Sequence, residues 1–316
     1  MSQSPLPLVD LGHFTSGNPV QIAGFVGHFG RALENIGFVA IENPGIDPQL
    51  LQQVYGVAQE FFALPTATKQ QYQDPELQGQ RGFTGLGQEH AKNRSIPDLK
   101  EFWHMGPEFA PDHPLATAYP ANVWPKEIPQ FQPLLTQLHQ QLEICSHALL
   151  QACSLYIGTS RHLLCHMTED GNTVLRVLHY PQMAEVTHPG ALRAAPHEDI
   201  NLITLLCDAT QPGLEVQQRD GSWLAVQLEP GQLLCNVGDM LQWFTNGLLR
   251  STTHQVVNTG MEDSPRFALP YFVHPRPGMD LAPLASCVAK TGGQVRFPPI
   301  TARSYLKERL NQIGLG

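Results

Sequence analysis

Between Pro19 and Ile36 the apolar residues Ile22, Phe25, Val26, Phe29, Leu33 and Ile36 keep the i, i+3, i+4, i+7 rhythm of one helical face. Asn18-Pro19 supplies a cap and a first-turn proline, and Gly37 can close the helix. A strand is expected just before it, around Leu6–Asp10, and another just after it at Phe38–Ile41, ended by Asn43-Pro44-Gly45. Asp47-Pro48 opens a second predicted helix, carrying Leu51, Val54, Ala58, Phe61 and Phe62. The polar, glycine-bearing stretch from Gln78 to Asp98 reads as a long loop. Glu127 to about Ile157 reads as a third helix, with apolar positions at Leu134, Leu135, Leu138, Leu142, Ile144 and Leu149.

From Thr173 onward the pattern changes to short apolar runs between turn signals. Strands are expected at Val174–Tyr180, Ile200–Leu206, Leu214–Gln218, Trp223–Leu228, Leu233–Val237, Leu241–Phe244, His254–Val257 and Phe267–Val273. Asp220-Gly221 between two of them is a strong hairpin signal. Strands at this spacing with no helix between them predict an antiparallel sandwich or jelly roll rather than βαβ units. An amphipathic tail from Thr301 to Ile313 predicts a closing helix.

Composition narrows the function. In 316 residues, 28 acids stand against 19 bases, giving a net charge of −9, a poor match for a phosphate backbone. No nucleic-acid partner is therefore expected. No apolar run approaches the ~18 residues of a membrane span, and the opening MSQSPLPLVDL lacks the pattern of a secretory signal. The six cysteines form no CxxC frame, so buried reduced thiols and a cytoplasmic location are expected.

Among the fourteen histidines only His197 stands in an H-x-D arrangement, His197-Glu198-Asp199, directly before the run Ile200–Leu206. Residues i and i+2 of a strand share a face, so His197 and Asp199 are expected to point together into the sandwich with Glu198 turned away. His254 opens another predicted strand 55 residues beyond Asp199. Two imidazoles and a carboxylate on one face of an octahedron leave three adjacent positions open, the arrangement of non-haem Fe(II) oxygenases. Twelve residues on stands Arg266; a guanidinium grips a carboxylate through two parallel hydrogen bonds and suits the far end of a dicarboxylate co-substrate.

At this point the chain resembles a family. The runs APHEDINLITLL, VGDMLQWFTNGLLRSTTHQVVN and SPRFALPYF resemble the core of the isopenicillin N synthase-like group of Fe(II)- and 2-oxoglutarate-dependent oxygenases. GFVAIENPGI, FFALPTATKQQY, RGFTGLG and DLKEFWHMG resemble its N-terminal region, and LRVLHYP the strand before the metal motif. The likeness covers nearly the whole chain in order. It implies a mainly β fold with a double-stranded β-helix (jelly-roll) core, an N-terminal helical region and a C-terminal helix. It places residues 1–110 in the family's N-terminal α/β region and 111–316 in a long helix plus the oxygenase core.

The resemblance carries His197, Asp199 and His254 onto the iron ligands, Arg266 onto the carboxylate-binding arginine, and Tyr180 onto a tyrosine that helps hold the co-substrate. It implies Fe(II), 2-oxoglutarate and O2, with oxidation of a small molecule coupled to formation of succinate and CO2. Three positions depart from the pattern: Ala268 replaces the serine of R-x-S, Leu178 replaces an asparagine found in many plant members, and Pro44 replaces the histidine of an N-H-G turn. The first two leave open an iron oxidase of the same fold that does not consume 2-oxoglutarate. A zinc hydrolase, since zinc also accepts two His and a carboxylate, and a non-catalytic binding jelly roll are the rival classes. Trp243, Phe272 and Phe102 are candidates for core or pocket wall, and Trp103 and His104 candidates for a substrate-facing surface.

Overall fold

The computed structural model describes residues 6–77, 79–89, 98–113, 115–116, 119–182, 192–258 and 264–312. The N-terminal part runs β1 (Leu8–Asp10), α1 (Leu11–Thr15), α2 (Pro19–Asn35), β2 (Phe38–Glu42), α3 (Pro48–Phe62) and α4 (Thr66–Lys69). The caps expected from sequence are made. Asn18 Oδ1 accepts from the Val20 and Gln21 amides, and Asp47 Oδ1 from Gln49. Gly37 ends α2 at φ +81°, with its amide on Ala32 O, and a Cβ there would lie 2.3 Å from Arg250 O. Only glycine meets both demands.

Two short strands follow, β3 (Gly82–Thr84) and β4 (Glu101–Met105), then α5 (Phe131–Tyr156) and α6 (Leu163–Thr168). Part of the stretch expected as loop, 78–98, is thus the strand β3; Gln78 and residues 90–97 lie outside the described residues. On α5 the predicted face is right except at Ile144, which is 73% exposed because it falls on the side opposite Leu138, Leu142 and Leu149.

The remainder is β5 (Val174–Tyr180), β6 (Ala194–His197), β7 (Ile203–Cys207), β8 (Leu214–Gln217), β9 (Trp223–Ala225), β10 (Leu233–Val237), α7 (Asp239–Phe244), β11 (His254–Val256), β12 (Arg266–Ala268), β13 (Pro270–Val273), α8 (Ala285–Lys290) and α9 (Ala302–Gln312). One sheet has the order β1-β2-β10-β7-β13-β5-β4-β3, with β12 also on β5; the other is β6-β11-β8-β9. From β6 to β13 the chain passes repeatedly between the two sheets, the winding of a jelly roll. Pairing is antiparallel except for β1 on β2. The larger sheet is covered on both faces. Leu233, Cys235 and Val237 pack under the helices, while Leu234 points into the sandwich with Phe102, Leu178 and Val256. Two covered faces explain why its strands read as unbroken apolar runs.

The expected strand Leu241–Phe244 is a correction: it is α7. Met240, Leu241 and Phe244 are all buried, a spacing that fits one helical face as well as it fits a short strand. Ile200–Leu206 also starts three residues late, as β7, because 198–202 forms a bend between the sheets. All six cysteines are unpaired, five of them buried. No helix among the described residues is long and apolar enough to cross a membrane.

Candidate metal centre and co-substrate pocket

His197 ends β6 and His254 begins β11, and the antiparallel register sets the two directly opposite each other. Directly paired residues share a face, and the two rings lie 4.4 Å apart between centroids. His197 and Asp199 do not share the start of one strand, although the sequence pattern predicts it. Asp199 sits in the bend that carries the chain to β7, and its carboxylate returns to the histidines by that route.

The bend is fixed from behind. The amides of Gly238, Asp239 and Met240, at the start of α7, donate to Leu202 O, Asp199 O and Asn201 O at 2.8, 2.7 and 3.1 Å. This close approach requires Gly238, since a Cβ there would stand 2.3 Å from Asn201 O. The misread strand is therefore the clamp that positions Asp199.

One oxygen of Asp199 is consumed by support. Oδ2 accepts from Thr204 Oγ1 at 2.6 Å and from Asn236 Nδ2 at 2.8 Å, which leaves Oδ1 facing His254 Nε2 at 3.8 Å. Each histidine Nδ1 pairs with a backbone carbonyl two residues upstream, His197 with Ala195 O at 2.8 Å and His254 with Thr252 O at 3.1 Å. A carbonyl only accepts, so both rings carry hydrogen on Nδ1 and turn Nε2 inward. The donor atoms of His197, Asp199 and His254 all lie within 4.8 Å of one another, and they form the one such cluster of three among the described residues.

The electrostatics suit metal binding. Burial, then the charge of neighbouring His254 and of Lys100, push His197 down to about 4 against the pull of Asp199. Burial works to raise Asp199, but the two imidazoles and its donors Asn236 and Thr204 outweigh it and hold the carboxyl below its ordinary value. At neutral pH His197 is therefore a neutral imidazole and Asp199 a carboxylate, the protonation states a divalent metal needs of such ligands. Glu198 turns away as expected and accepts a hydrogen bond from Thr253 Oγ1, tying the segments of His197 and His254 together.

The triad lines one part of a cavity of ≈ 70 Å³ between the sheets, whose wall also holds Arg266, Tyr180, Leu178, Ala268 and Phe272. Arg266 is only 2% exposed. Its Nε donates to Gln211 O at 2.9 Å and its guanidinium lies 5.1 Å from the Tyr180 ring centroid, with Tyr180 directly across the strand pair. Its Nη1 is buried with no partner. A buried unpaired guanidinium N–H is costly, and here it belongs to a residue that lines a cavity a carboxylate would fill.

The other sequence candidates divide. Phe272 lines the cavity and Phe102 stacks on the Arg176 guanidinium at 4.1 Å. Trp243 packs on Phe297 and Tyr305, away from the cavity. Trp103 is a correction: it is fully buried on the opposite face of the sheet, against Phe61 and Phe131. His104 lies behind Arg176, accepting from its Nε at 2.5 Å, with Nδ1 on Gly79 O.

Thr204, Asn236, Lys100 and Arg176 were missed by the sequence reading. A polar residue inside ITLLC or LLCNV was the available signal, because a fully buried polar side chain in a central strand needs a reason. Replacing Asn236 with leucine leaves Asp199 Oδ2 with one donor. Iron affinity is expected to fall about 10–100-fold, the usual effect of a lost outer contact on a metal ligand; an unchanged Fe(II) titration would show that Asp199 holds its place without it.

Comparison with known proteins matches this architecture. Residues 6–127 fit the family described as non-haem dioxygenase in morphine synthesis N-terminal, and residues 171–275 the 2OG-Fe(II) oxygenase superfamily. A 2-oxoglutarate-Fe(II) type oxidoreductase of Metarhizium rileyi is 29% identical, over 96% of this chain and 89% of its own length. The crystal structure of a 2OG-Fe(II) oxygenase family protein from Caulobacter crescentus superposes with TM-score 0.87 at 35% identity, covering 98% of this chain and 99% of that one. The crystal structure of a full-length Neurospora crassa protein in complex with alpha-KG superposes with TM-score 0.85 at 25% identity, covering 97% of this chain and 95% of that one. The chain belongs to the Fe(II)/2-oxoglutarate-dependent oxygenases, in their isopenicillin N synthase-like group. It is an oxidoreductase that uses Fe(II), 2-oxoglutarate and O2 to oxidise a small molecule, with 2-oxoglutarate converted to succinate and CO2.

Proposed function

We propose that His197 Nε2, Asp199 Oδ1 and His254 Nε2 hold the Fe(II), and that Arg266 with Tyr180 holds the distal carboxylate of 2-oxoglutarate. The observation that carries this reading is the pairing of a three-donor cluster with a buried, partnerless guanidinium N–H on one cavity. Bound iron and 2-oxoglutarate together supply the O2 chemistry that attacks a C–H bond. The protein fixes the two histidines on paired strands and Asp199 in the clamped bend, and surrounds the reacting centre with apolar side chains that exclude water. Phe38, edge-on to His254 at 5.3 Å, closes one side.

The substrate is a small molecule, and the net charge of −9 argues against nucleic acid. Curated relatives are named for varied small molecules: a proline hydroxylase of Petromyces alliaceus, a homoarginine-6-hydroxylase of rice, a validamycin A dioxygenase of Streptomyces hygroscopicus. Hydroxylation of a comparably small, polar compound is the reading we favour. Six unpaired cysteines suit a reducing compartment, and we assign the protein to the cytoplasm.

The test is turnover. Anaerobic protein with Fe(II) is expected to develop a weak visible charge-transfer band on addition of 2-oxoglutarate. On admission of air, screening against pools of small metabolites should identify one that stimulates succinate formation. Oxygen consumption without succinate would instead identify an iron oxidase that does not use 2-oxoglutarate.

A further inference from the structure

Three strands of the larger sheet carry a polar row across the cavity. Arg266 on β12 pairs with Tyr180 on β5. Glu101 on β4 pairs with His179, and continuing that register one residue sets Lys100 opposite Tyr180. All three side chains line the cavity. The next row, Phe102–Leu178–Ala268, is wholly apolar, and it contains both positions where this chain lacks the family's polar residue.

Lys100 is buried at 6% exposure, and its ammonium contacts Glu89 Oε1 at 2.5 Å and Asp98 Oδ2 at 2.9 Å. Arg176, itself half-buried, pairs with the same Glu89 through both carboxylate oxygens, completing a charge-balanced quartet. Burial opposes the Lys100 charge, but Glu89 and Asp98 outweigh it and keep the amine protonated. An ammonium has three donors, and these two carboxylates leave one.

The segment lies against the metal ligands. Asp98 Oδ1 accepts from the Ala195 amide at 3.0 Å, and the Leu99 amide donates to Leu192 O at 3.0 Å, so Lys100 sits beside the strand that ends at His197. Adjacent strands are ~4.8 Å apart, which puts the backbones of Arg266 and Lys100 about 10 Å apart, room for a short dicarboxylate between two inward-reaching cations. Buried ion pairs seldom add stability over well-packed apolar residues. A charged quartet on this wall is better explained by use than by folding.

We propose that Lys100 is the second cation of a dicarboxylate clamp, with Arg266 on the distal carboxylate of 2-oxoglutarate and the free Lys100 N–H on the carboxylate at the metal end. The inference rests on the co-substrate assignment above and adds what Leu178 and Ala268 take away. Lys100 thereby binds the end of the co-substrate that every 2-oxo acid shares, and Arg266 the end that distinguishes 2-oxoglutarate.

The test is calorimetric titration of the full-length, Mn(II)-loaded protein with 2-oxoglutarate and with 2-oxopentanoate, which lacks the distal carboxylate. Lys100→Met is expected to weaken both ligands by the same factor, about tenfold or more, with Mn(II) affinity unchanged. Lys100→Met/Asp98→Asn removes one base and one acid together, leaving the Glu89–Arg176 pair balanced and guarding against loss of folding. It should show the same weakening.

Recovery of wild-type affinity in the double variant would mean that the unpaired acid, not the missing ammonium, caused the effect, and the proposal would fall. Unchanged affinity for both ligands, or weakening of 2-oxoglutarate alone, would overturn it too. Wild-type protein that binds Mn(II) but neither 2-oxo acid would overturn the co-substrate assignment itself, a distinct result.

Discussion

His197→Ala is expected to abolish both the anaerobic charge-transfer band and 2-oxoglutarate turnover while leaving the protein folded. The side chain ends a strand of the smaller sheet, and its one hydrogen bond is to Ala195 O, two residues upstream. Its removal therefore disturbs little of the core. The effect on the metal is large, because it takes away one of three donor atoms held within 4.8 Å. Loss of an outer hydrogen bond to a ligand already weakens metal sites 10–100-fold, so loss of the ligand should exceed ~100-fold in iron affinity. Fe(II) titration followed in the visible, with circular dichroism as the fold control, reads both. A folded variant that keeps the band would mean that His197 is not a ligand.

Much of this site is legible in the sequence, for a local reason. His197-Glu198-Asp199 announces itself by spacing, and His254 and Arg266 by their places at the heads of two later strands. The helices α2 and α3 are legible because their caps, Asn18-Pro19 and Asp47-Pro48, and their stripes are written in adjacent residues. What local pattern cannot give is register. That His197 and His254 stand directly opposite, and that Lys100 faces Tyr180, depends on pairings between strands far apart in the chain.

The same limit explains the errors. Met240, Leu241 and Phe244 fit either a helix turn or a strand, and the choice is made by Gly238 lying on Asn201. Asp199 leaves its strand because the chain must cross there between sheets. Thr204 and Asn236 look like isolated polar residues in apolar strands until the fold brings both onto one carboxylate oxygen. Trp103 and His104, adjacent in sequence, lie on opposite faces of one strand, so a motif read as one unit divides into core and support.

Arg266→Met separates recognition of the co-substrate from the metal chemistry. Arg266 is 2% exposed, bonded at Nε to Gln211 O, and partnerless at Nη1. Two charge-assisted hydrogen bonds to a carboxylate are worth about 3 kcal/mol or more together, equivalent to roughly 100-fold in affinity. Methionine keeps most of the apolar volume and removes those donors. The KM for 2-oxoglutarate should rise about 100-fold while iron affinity stays at the wild-type value, since Arg266 contacts none of the three ligands. The ratio of affinities for 2-oxoglutarate and 2-oxopentanoate, large in the wild type, should collapse toward one. Lys100→Met is expected to preserve that ratio, and the contrast assigns each cation to one end of the same molecule. A variant of Arg266 that still prefers the dicarboxylate would place the distal carboxylate elsewhere in the cavity and leave the buried Nη1 without a function.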